Sequence, residues 1–252
     1  MFYCVIPARY ASTRLPGKPL SPIAGMPMVV RVAGQAARAG AEQVVVATDD
    51  ERIVEAVQQA GFEAAMTDSS HASGSDRVME VVDAQGWADD AIVINVQGDE
   101  PLIPPEVIRQ LANGMAARTD VAIATLCEPL VELDAIRDPN VVKVVRDRDQ
   151  LALYFSRAPI PEPRDGYPVD LADAGLWHRH VGIYGYRVAA LRQFVALEPS
   201  PLERTERLEQ LRLLENGMDI LTLDACLPVP GGVDTPDDLQ RIAELFALRH
   251  FE

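Results

Sequence analysis

The sequence predicts an α/β fold: an open, mostly parallel mixed sheet with helices on both faces, in three layers, and an inserted smaller lobe. Strand-like and helical segments alternate as β-α-β-α-β from the amino terminus, the order that builds a right-handed parallel sheet. Continuous β-branched runs such as Gln43–Thr48 lack polar alternation and favour strands buried on both faces. The alternation stops after Pro129, where hairpin-like and proline-rich segments begin.

The amino-terminal half is predicted to hold the central strands and the helices that cover them. Apolar runs predict the strands, and acidic, proline or glycine residues at their ends delimit the helices. In chain order the predicted segments are a strand Phe2–Ile6, a helix from about Pro27 to Gly40, a strand Gln43–Thr48, a helix from Asp49 to about Ala60, a strand Phe62–Met66, a helix Asp76–Gln85, a strand Ala91–Val96, a helix Pro104–Ala117 and a strand Val121–Cys127.

The segment after Pro129 differs from the rest of the chain. Two short apolar runs on either side of a polar turn predict a β-hairpin, and the proline-rich residues 158–168 cannot form a central strand. Residues 131–177 are therefore predicted to form the inserted lobe, between core segments 1–130 and 178–252.

The carboxyl-terminal part returns to alternating strands and helices. Ser200, Pro201 and Glu203 have the spacing of a capped helix start, and Asn216-Gly217 is typical of a helix end. The remaining predicted elements are the hairpin strands Val141–Val145 and Leu151–Ser156, a strand across Trp177–Arg187, a helix from about Val188, a single helix from Ser200 to Asn216, a strand Asp219–Asp224 and a last helix capped at Thr235.

Composition excludes some classes of protein. The 252 residues carry a formal net charge of -15, whereas a free-standing nucleic-acid-binding protein is usually basic. Cys4, Cys127 and Cys226 lie in apolar runs with a spacing that gives no metal site, which predicts buried, reduced thiols. No apolar run has the length of a membrane span, and strand-like sequence begins directly at Met1-Phe2 without a signal peptide. These features predict a cytoplasmic protein.

The loop after the first strand concentrates positive charge in this acidic chain. Arg9, Arg14 and Lys18 lie within a segment stiffened by glycine and proline, I-P-A-R-Y-A-S-T-R-L-P-G-K-P-L. Arginine offers a planar fork to phosphate oxygens and lysine a compact charge. Because ligands bind at the carboxyl ends of strands in open α/β sheets, the loop predicts a polyphosphate site rather than a merely solvated basic loop. It contains neither a Walker motif nor a G-x-G-x-x-G fingerprint.

Two aspartates follow predicted strand ends and could share a cation. Asp99 follows the fourth predicted strand in Q-G-D-E-P, and Asp234 lies in G-V-D-T-P. Mg²⁺ prefers hard oxygen ligands and commonly takes one or two carboxylates plus substrate phosphates. The alternative for each is structural: a Gly-Asp turn for Asp99 and a helix entry for Asp234.

Two further segments carry polar groups suited to ligand binding. The loop 69–77 is rich in serine and precedes a helix, so its backbone N–H groups and hydroxyls could bind a base or phosphate; Ser75 or Asp76 could equally be an ordinary helix cap. Along the strand at His180, Gly182 and Tyr184, the period of two predicts one polar and aromatic face. A purely structural histidine is the alternative for His180.

These motifs together resemble the 3-deoxy-manno-octulosonate (Kdo) cytidylyltransferase family, also called the CMP-Kdo synthetases. The loop 6–20 is similar to the family loop almost letter for letter, and Q-G-D-E-P is matched in full. The family's H-x-S-G-T-D-R, H-V-G-I-Y-x-Y and G-V-D-T-P-E-D-L motifs also occur, in the order in which the family has them. Ser75 stands in place of threonine in the first, and Asp237 stands in place of glutamate in the last. E-R-L-E-Q-L-R is matched as well. The resemblance extends from Phe2 to Leu239.

The resemblance implies a Rossmann-like nucleotide-diphospho-sugar transferase fold and specific residue roles. It implies catalytic roles for Arg9, Lys18 and Asp99, and Mg²⁺ bound by Asp99 and Asp234. The implied nucleotide-binding residues are Ala8, Arg9, Arg14, Lys18, Ser73, Arg77, Gln97 and Asp99, with Ser73 and Arg77 reading the cytosine. The implied sugar-binding residues are Gln97, Arg157, His180, Tyr184, Glu209 and Gln210.

The implied reaction joins Kdo to CMP for lipopolysaccharide biosynthesis. The anomeric hydroxyl of Kdo attacks the α-phosphorus of CTP and pyrophosphate leaves, without a covalent enzyme intermediate. The implied partners are the small molecules CTP and Kdo, with no nucleic acid and no membrane insertion, in a homodimer formed through the inserted lobe. Two alternatives remain: the same chemistry on another acid sugar, such as an aminated Kdo or a sialic acid, and a non-catalytic nucleotide-binding module.

Overall fold

The strands of the protein lie close to the segments that the sequence predicts. The computed structural model describes residues 1–11, 15–168 and 170–249, and Arg14 lies outside them. Predicted and observed strand limits differ by one or two residues at most ends, as expected where chain ends fray. The strands are β1 (Tyr3–Ala8), β2 (Pro22–Ile23), β3 (Met26–Pro27), β4 (Gln43–Thr48), β5 (Glu63–Met66), β6 (Ile92–Asn95), β7 (Ile123–Pro129), β8 (Lys143–Arg146), β9 (Ala152–Ser156), β10 (His178–Arg187) and β11 (Leu221–Asp224).

Two helices begin at caps that the sequence indicates. Asp50 accepts a hydrogen bond from the Arg52 N–H at the start of the second helix, and Ser200 forms a reciprocal capping box with Glu203. The helices are α1 (Met28–Arg38), α2 (Glu51–Gln59), α3 (Gly74–Gln85), α4 (Pro105–Ala117), α5 (Leu133–Arg137), α6 (Leu171–Ala174), α7 (Val188–Val195), α8 (Pro201–Glu206), α9 (Gln210–Glu215) and α10 (Pro236–Arg249), with a 3₁₀ turn at Lys18–Leu20.

A mixed sheet organises the molecule. Among the described residues it has nine strands, with the main order β11-β7-β10-β6-β1-β4-β5 and the β8–β9 hairpin attached to β10. The pairs β1–β4, β1–β6, β4–β5 and β7–β11 are parallel, while β10 runs antiparallel to its neighbours. The predicted mostly parallel sheet is therefore confirmed. Buried side chains from helices pack on each face, giving three layers.

Strand β10 changes partner along its length, and this opens a gap in the sheet. Tyr184–Arg187 pairs with β6, whereas His178 and Arg179 pair with β8 on the same side. The pairing with β7 shifts register between Val181 and Tyr184, as in a β-bulge. The short segment of β10 between the two partners is thus left facing the end of β6, where a ligand can approach.

Three sequence predictions are wrong in detail. The helix predicted from Ser200 to Asn216 is two short helices, because Arg207 adopts a left-handed conformation with φ 54° and ψ 48°. Cys226 is exposed, while Cys4 and Cys127 are buried as predicted. The apolar residues Leu151, Leu153 and Phe155 of the predicted hairpin suggest an exposed interface, but only Leu153 is largely exposed, at 62%. Leu151 is partly buried, and Phe155 is fully buried against the ring of His180.

The segment 131–177 joins the main sheet and also has a small core of its own. The β8–β9 hairpin is hydrogen-bonded to β10, so it continues the sheet. Leu130, Ile136 and Trp177 form a separate buried cluster beside it. The division into a core and an inserted lobe at these boundaries stays a prediction.

Candidate functional site

Lys18 joins the two aspartates that the sequence singles out. Its Nζ lies 2.6 Å from Asp99 Oδ2 and 3.1 Å from Asp234 Oδ1. These carboxylates are far apart in sequence, so their meeting at one ammonium group shows that their loops converge at the carboxyl edge of the sheet. Arg9 lies on the same loop as Lys18 and is partly exposed, with no ion-pair partner among the described residues. Arg14 cannot be placed, since it falls outside the described range.

Close backbone contacts hold these loops together. A Cβ added at Gly98 would lie 2.8 Å from the backbone oxygen of Pro7, so only glycine allows the β6 loop to approach β1 this closely. The Val233 N–H donates to the Asp99 carbonyl at 2.9 Å, which ties the Asp234 loop to the Asp99 loop. The site is therefore fixed by the backbone as well as by the Lys18 ion pairs.

The donor set at this edge suits a hard divalent cation. Asp99 and Asp234 offer carboxylate oxygens within reach of one point, and a third carboxyl, Glu100, lies beside them. Burial and, to a smaller extent, the charge of Asp99 raise the pKa of the Glu100 carboxyl to about 8, against the opposing charges of Arg179 and Lys18. Asp99 and Asp234 place two carboxylates on one ammonium group, and a bound cation would neutralise the remaining negative charge.

The serine-rich loop caps helix α3. Ser73, rather than Ser75 or Asp76, is the cap: its hydroxyl accepts from the Asp76 N–H, and its own N–H donates to the Asp76 carboxylate at 2.9 Å. Ser73 also lines an open groove of about 780 Å³. Arg77 is fully buried; its guanidinium donates to Thr67 and, at 2.8 Å, to Asp49. The Arg77 side chain is thus buried and hydrogen-bonded within the protein, and its predicted role in recognising the cytosine base stays a prediction.

A cavity of about 500 Å³ brings all six predicted sugar-binding residues together. It opens where β10 passes from β6 to β8, and Asp234 lines one side of it. The predicted residues that line it are Gln97, Arg157, His180, Tyr184, Glu209 and Gln210. The sequence reasoning therefore identifies side chains from a strand end, a hairpin, β10 and α9 that meet at one place.

Unpartnered polar atoms concentrate in this cavity. Among the described residues, buried side-chain atoms without a hydrogen-bond partner include four that belong to lining residues: Asn95 Oδ1, Tyr184 OH, Glu209 Oε1 and Gln210 Nε2. Buried polar groups are normally satisfied, because an unmade hydrogen bond costs roughly 1–3 kcal/mol. Donors and acceptors left open together indicate a site for a ligand with many hydroxyl groups.

Burial in the cavity disfavours the charged forms of His180, Tyr184 and Glu209. Burial and, to a smaller extent, the neighbouring charge of Arg179 lower the pKa of His180 to about 3. The His180 ring lies 3.0 Å from the Thr125 hydroxyl and edge-on to Phe155. Burial likewise raises the pKa of Glu209 and raises that of Tyr184 well above its usual value. His180 is therefore neutral at neutral pH, so a positive charge at the cavity must come from another residue.

Arg157 supplies positive charge at the cavity. Its Nε donates to the Glu206 carbonyl at 2.7 Å and its Nη1 to the Pro139 carbonyl at 3.0 Å. No hydrogen bond from Nη2 is found among the described residues, so that amino group remains available to donate to a ligand. A guanidinium held by backbone carbonyls in this way is a suitable partner for a carboxylate.

Sequence reasoning missed several lining residues. Asn95 ends a buried strand, and a polar residue in that position is a signal that could have identified it. Tyr186 lies two residues after Tyr184 and could have been found from the same alternation. Ser75 and Arg207 also line the cavity, but neither spacing nor residue type distinguishes them from an ordinary loop or helix position.

A separate cluster lies near the start of β10. Cys127, His178 and Asp224 have ligand atoms within 4.8 Å of one another, although cysteine spacing predicts no metal site. Arg146 Nη2 lies 2.6 Å from Asp224 Oδ1 and 3.3 Å from His178 Nε2. The Arg146 guanidinium therefore already supplies the positive charge that a metal ion would bring to this cluster.

Comparison with known proteins places the chain among nucleotide-transferring enzymes. A family model described as "Cytidylyltransferase" matches residues 3–220. The chain is 53% identical over 248 residues to the 3-deoxy-manno-octulosonate cytidylyltransferase of Cellvibrio japonicus, covering 97% of each chain. It is 54% identical over 247 residues to the enzyme of the same name from Pseudomonas fluorescens, again with 97% of each chain covered.

A solved structure gives the same picture at the level of the fold. A CMP:2-keto-3-deoxy-manno-octonic acid synthetase complexed with CTP superposes with a TM-score of 0.90 and 43% sequence identity, over 99% of this chain and 100% of that one. None of the helices in the described part of the chain combines the length and apolarity needed to cross a membrane.

Proposed function

This chain belongs to the cytidylyltransferase family, and we propose that it joins CTP to 3-deoxy-manno-octulosonate (Kdo) to give CMP-Kdo and pyrophosphate. The anomeric hydroxyl oxygen of Kdo forms a bond to the α-phosphorus of CTP. The bond from that phosphorus to the oxygen shared with the β-phosphate breaks, and pyrophosphate leaves with that oxygen. The hydroxyl proton passes to water. Relatives that share more than half of the sequence carry this activity in their names.

The observation that carries the proposal is the cavity beside the Lys18 cluster. Its open donors and acceptors on Asn95, Tyr184, Glu209 and Gln210 suit a polyhydroxylated sugar. Arg157 offers an amino group to the sugar's carboxylate. Asp234 belongs both to this cavity and to the Lys18 cluster, so the acceptor and the triphosphate would meet there.

The residues of the cationic loop act on the triphosphate. Lys18 and Arg9 bind the phosphate oxygens and stabilise the negative charge that grows on departing pyrophosphate, with Arg14 assisting. Holding the hydroxyl oxygen near the α-phosphorus lowers the entropic part of the barrier. Positioning and charge neutralisation are sufficient for this class of transfer, so no nucleophilic side chain is required.

Mg²⁺ is the cofactor that the donor set fits. Asp99 and Asp234 would hold it, and Lys18 would then bind phosphate rather than both carboxylates. When bound, the cation supplies Lewis-acid stabilisation of the negatively charged oxygens. The fit rests on the two hard carboxylates that converge on one Nζ.

Pyrophosphate release measures this function. We expect release from CTP with Kdo in the presence of Mg²⁺, and much less with sialic acid, with ATP in place of CTP, or with EDTA. An aminated Kdo is the sharper comparison, because one group in the acceptor can change binding by only ~1–3 kcal/mol. Faster release with either alternative sugar would contradict the Kdo assignment, and no release with any sugar would contradict catalysis.

Three further features belong to the same proposal. The chain forms a homodimer through segment 131–177, it acts in the cytoplasm, and its product enters lipopolysaccharide biosynthesis. Leu153, largely exposed on the edge strand β9, supports the first. The free cysteines Cys4, Cys127 and Cys226 agree with a reducing compartment.

A further inference from the structure

Glu206 lies at the end of helix α8 and organises the contacts around Arg157. Its Oε2 accepts from the Arg157 N–H at 3.0 Å, and its Oε1 accepts from the Ser156 hydroxyl at 2.6 Å. Its backbone carbonyl accepts from Arg157 Nε at 2.7 Å. One residue therefore binds both the backbone and the side chain of Arg157.

A buried lysine fixes the other side of Arg157. Lys143 is fully buried and donates to three backbone carbonyls: Asp138 at 2.8 Å, Val141 at 2.6 Å and Arg157 at 2.7 Å. Arg157 Nη1 in turn binds Pro139, within the same turn that Lys143 anchors. The backbone and two of the three guanidinium nitrogens of Arg157 are thus fixed, and only Nη2 remains for a ligand at the cavity.

Glu206 also stands directly before the break between α8 and α9. The next residue, Arg207, has a left-handed backbone, and α9 then begins with Gln210 after Glu209. Both Glu209 and Gln210 line the cavity and have a buried side-chain atom without a hydrogen bond, although Glu209 Oε1 lies 3.9 Å from Arg212 Nη2. The Glu206 carboxylate therefore connects the hairpin that carries Arg157 to the segment that carries Glu209 and Gln210.

We propose that Glu206 is a positioning residue for acceptor recognition: by holding Arg157 through the Ser156–Arg157 backbone, it sets the affinity for the acid sugar without touching it. This inference rests on the proposed function, because it takes the acceptor to be an anionic sugar bound by Arg157. The structure gives a physical reason for a carboxylate here. Two donors, Ser156 Oγ and the Arg157 N–H, need two acceptor oxygens.

The variant Glu206→Gln tests this role with little change in shape. Glutamine offers one acceptor oxygen, so at least one of the two donors loses its partner. We expect the KM for Kdo to rise about tenfold, the effect of losing a hydrogen bond to a charged group, while the KM for CTP changes less than about twofold. Ser156→Ala removes one of the same bonds and should raise the KM for Kdo in the same direction.

Ser200→Ala is the matched control. Ser200 is also a buried serine bonded to a glutamate of α8, but its partner is Glu203, which has no contact with Arg157. This variant should lower thermal stability through the lost helix cap and leave the KM for Kdo unchanged. A merely structural role for Glu206 would make Glu206→Gln and Ser200→Ala alike in both measurements.

A double-mutant cycle with Arg157→Met decides whether Glu206 acts through Arg157. In that background, Glu206→Gln should change the KM for Kdo by less than about twofold, because the group it positions is absent. Independent, multiplying effects would overturn the inference, as would a Glu206→Gln enzyme with the wild-type KM for Kdo. If wild-type enzyme releases no pyrophosphate from CTP and Kdo, the proposed function fails, and the acceptor role fails with it.

Discussion

Lys18 is the residue on which both candidate metal-binding aspartates converge, so its removal is informative. Lys18→Ala removes a preorganised charge and should lower turnover about 10²–10³-fold. Its side chain lies at a loop and is not part of the apolar core, so the thermal midpoint should change little. Arg118→Ala, which removes an exposed ion pair with Asp120, is the control and should keep full activity. Wild-type turnover in Lys18→Ala would refute the assignment.

Asp99 and Asp234 should behave as one site. Asp99→Asn and Asp234→Asn each remove one negative ligand at constant shape, and either change alone should abolish most Mg²⁺-dependent turnover. The double variant should be scarcely slower than either single variant, because residues that hold one ion are strongly non-additive. Steady-state rates across a Mg²⁺ titration measure this. Rate losses that multiply would favour two unrelated structural aspartates.

His180 should make stability depend on pH. Its folded-state pKa of about 3 lies below the usual 6.5, so the neutral form is favoured on folding. The stability that this shift contributes is fully present above pH 6.5 and is lost as the pH falls from 6.5 towards 3. His180→Gln should therefore flatten the acid side of the unfolding free-energy curve by up to about 1.4 kcal/mol per pH unit. Urea titrations between pH 4 and 8 would contradict this if the two curves stayed parallel.

At the scale of single residues, much of the site could be predicted from sequence because it lies in short motifs after strand ends. Asp99, Asp234 and Lys18 come together as the predicted parallel sheet requires. The surroundings of Arg77 could not be predicted in this way. Its position in a motif does not reveal that its guanidinium donates to Thr67 and Asp49, because those partners follow the ends of two other strands.

The approach of the β6 loop to β1 depends on Gly98 having no side chain. Gly98→Ala would place a Cβ within 2.8 Å of the Pro7 oxygen, so the loop that carries Asp99 must shift. We expect a loss of about 1–3 kcal/mol in the free energy of unfolding and a large loss of turnover. Gly34→Ala, in helix α1 with no atom close to the added Cβ, should leave both unchanged or add stability. Equal effects of the two substitutions would contradict this account.

Secondary-structure elements were predictable where burial is continuous and caps are strong. Gln43–Thr48 was predicted to the residue, because a β-branched run buried on both faces has few alternatives. The break between α8 and α9 at Arg207 could not be predicted, because a single residue with a left-handed backbone hardly changes the apolar pattern of a helix. The register shift in β10 was missed for a similar reason: it depends on which strands lie beside it.

At the scale of the whole molecule, the exposed edge of the hairpin leads us to expect a homodimer. Leu153 is largely exposed on β9, whose one strand partner in the described sheet is β8 apart from a bridge between Leu151 and Leu221 at its start, and an exposed apolar edge usually has a partner. Light scattering at micromolar concentration should give twice the mass of one chain, and Leu153→Glu should shift the equilibrium towards the monomer. A monomeric wild type would contradict the expectation.

The charge of the whole chain gives the cationic loop its significance. A protein with a net charge of -15 must concentrate cations locally to bind a triphosphate. Lys18, on the same loop as Arg9, is ion-paired with Asp234, which also lines the cavity of about 500 Å³. The amino-acid composition predicts that cations must be concentrated locally, but it does not predict the shape of the cavity. The cavity lies where β10 stops pairing with β8 and begins to pair with β6. This change of partner depends on how the strands assemble into the sheet.

The most direct test of the central claim is ³¹P NMR of the wild-type enzyme with CTP, Kdo and Mg²⁺. Transfer at the α-phosphorus predicts one new phosphodiester resonance, for CMP-Kdo, that grows in equal amount with pyrophosphate while the CTP resonances decline. Omitting Kdo should leave CTP intact. Inorganic phosphate with CDP, or pyrophosphate with CMP and no new diester, would show hydrolysis in place of transfer and would contradict the account.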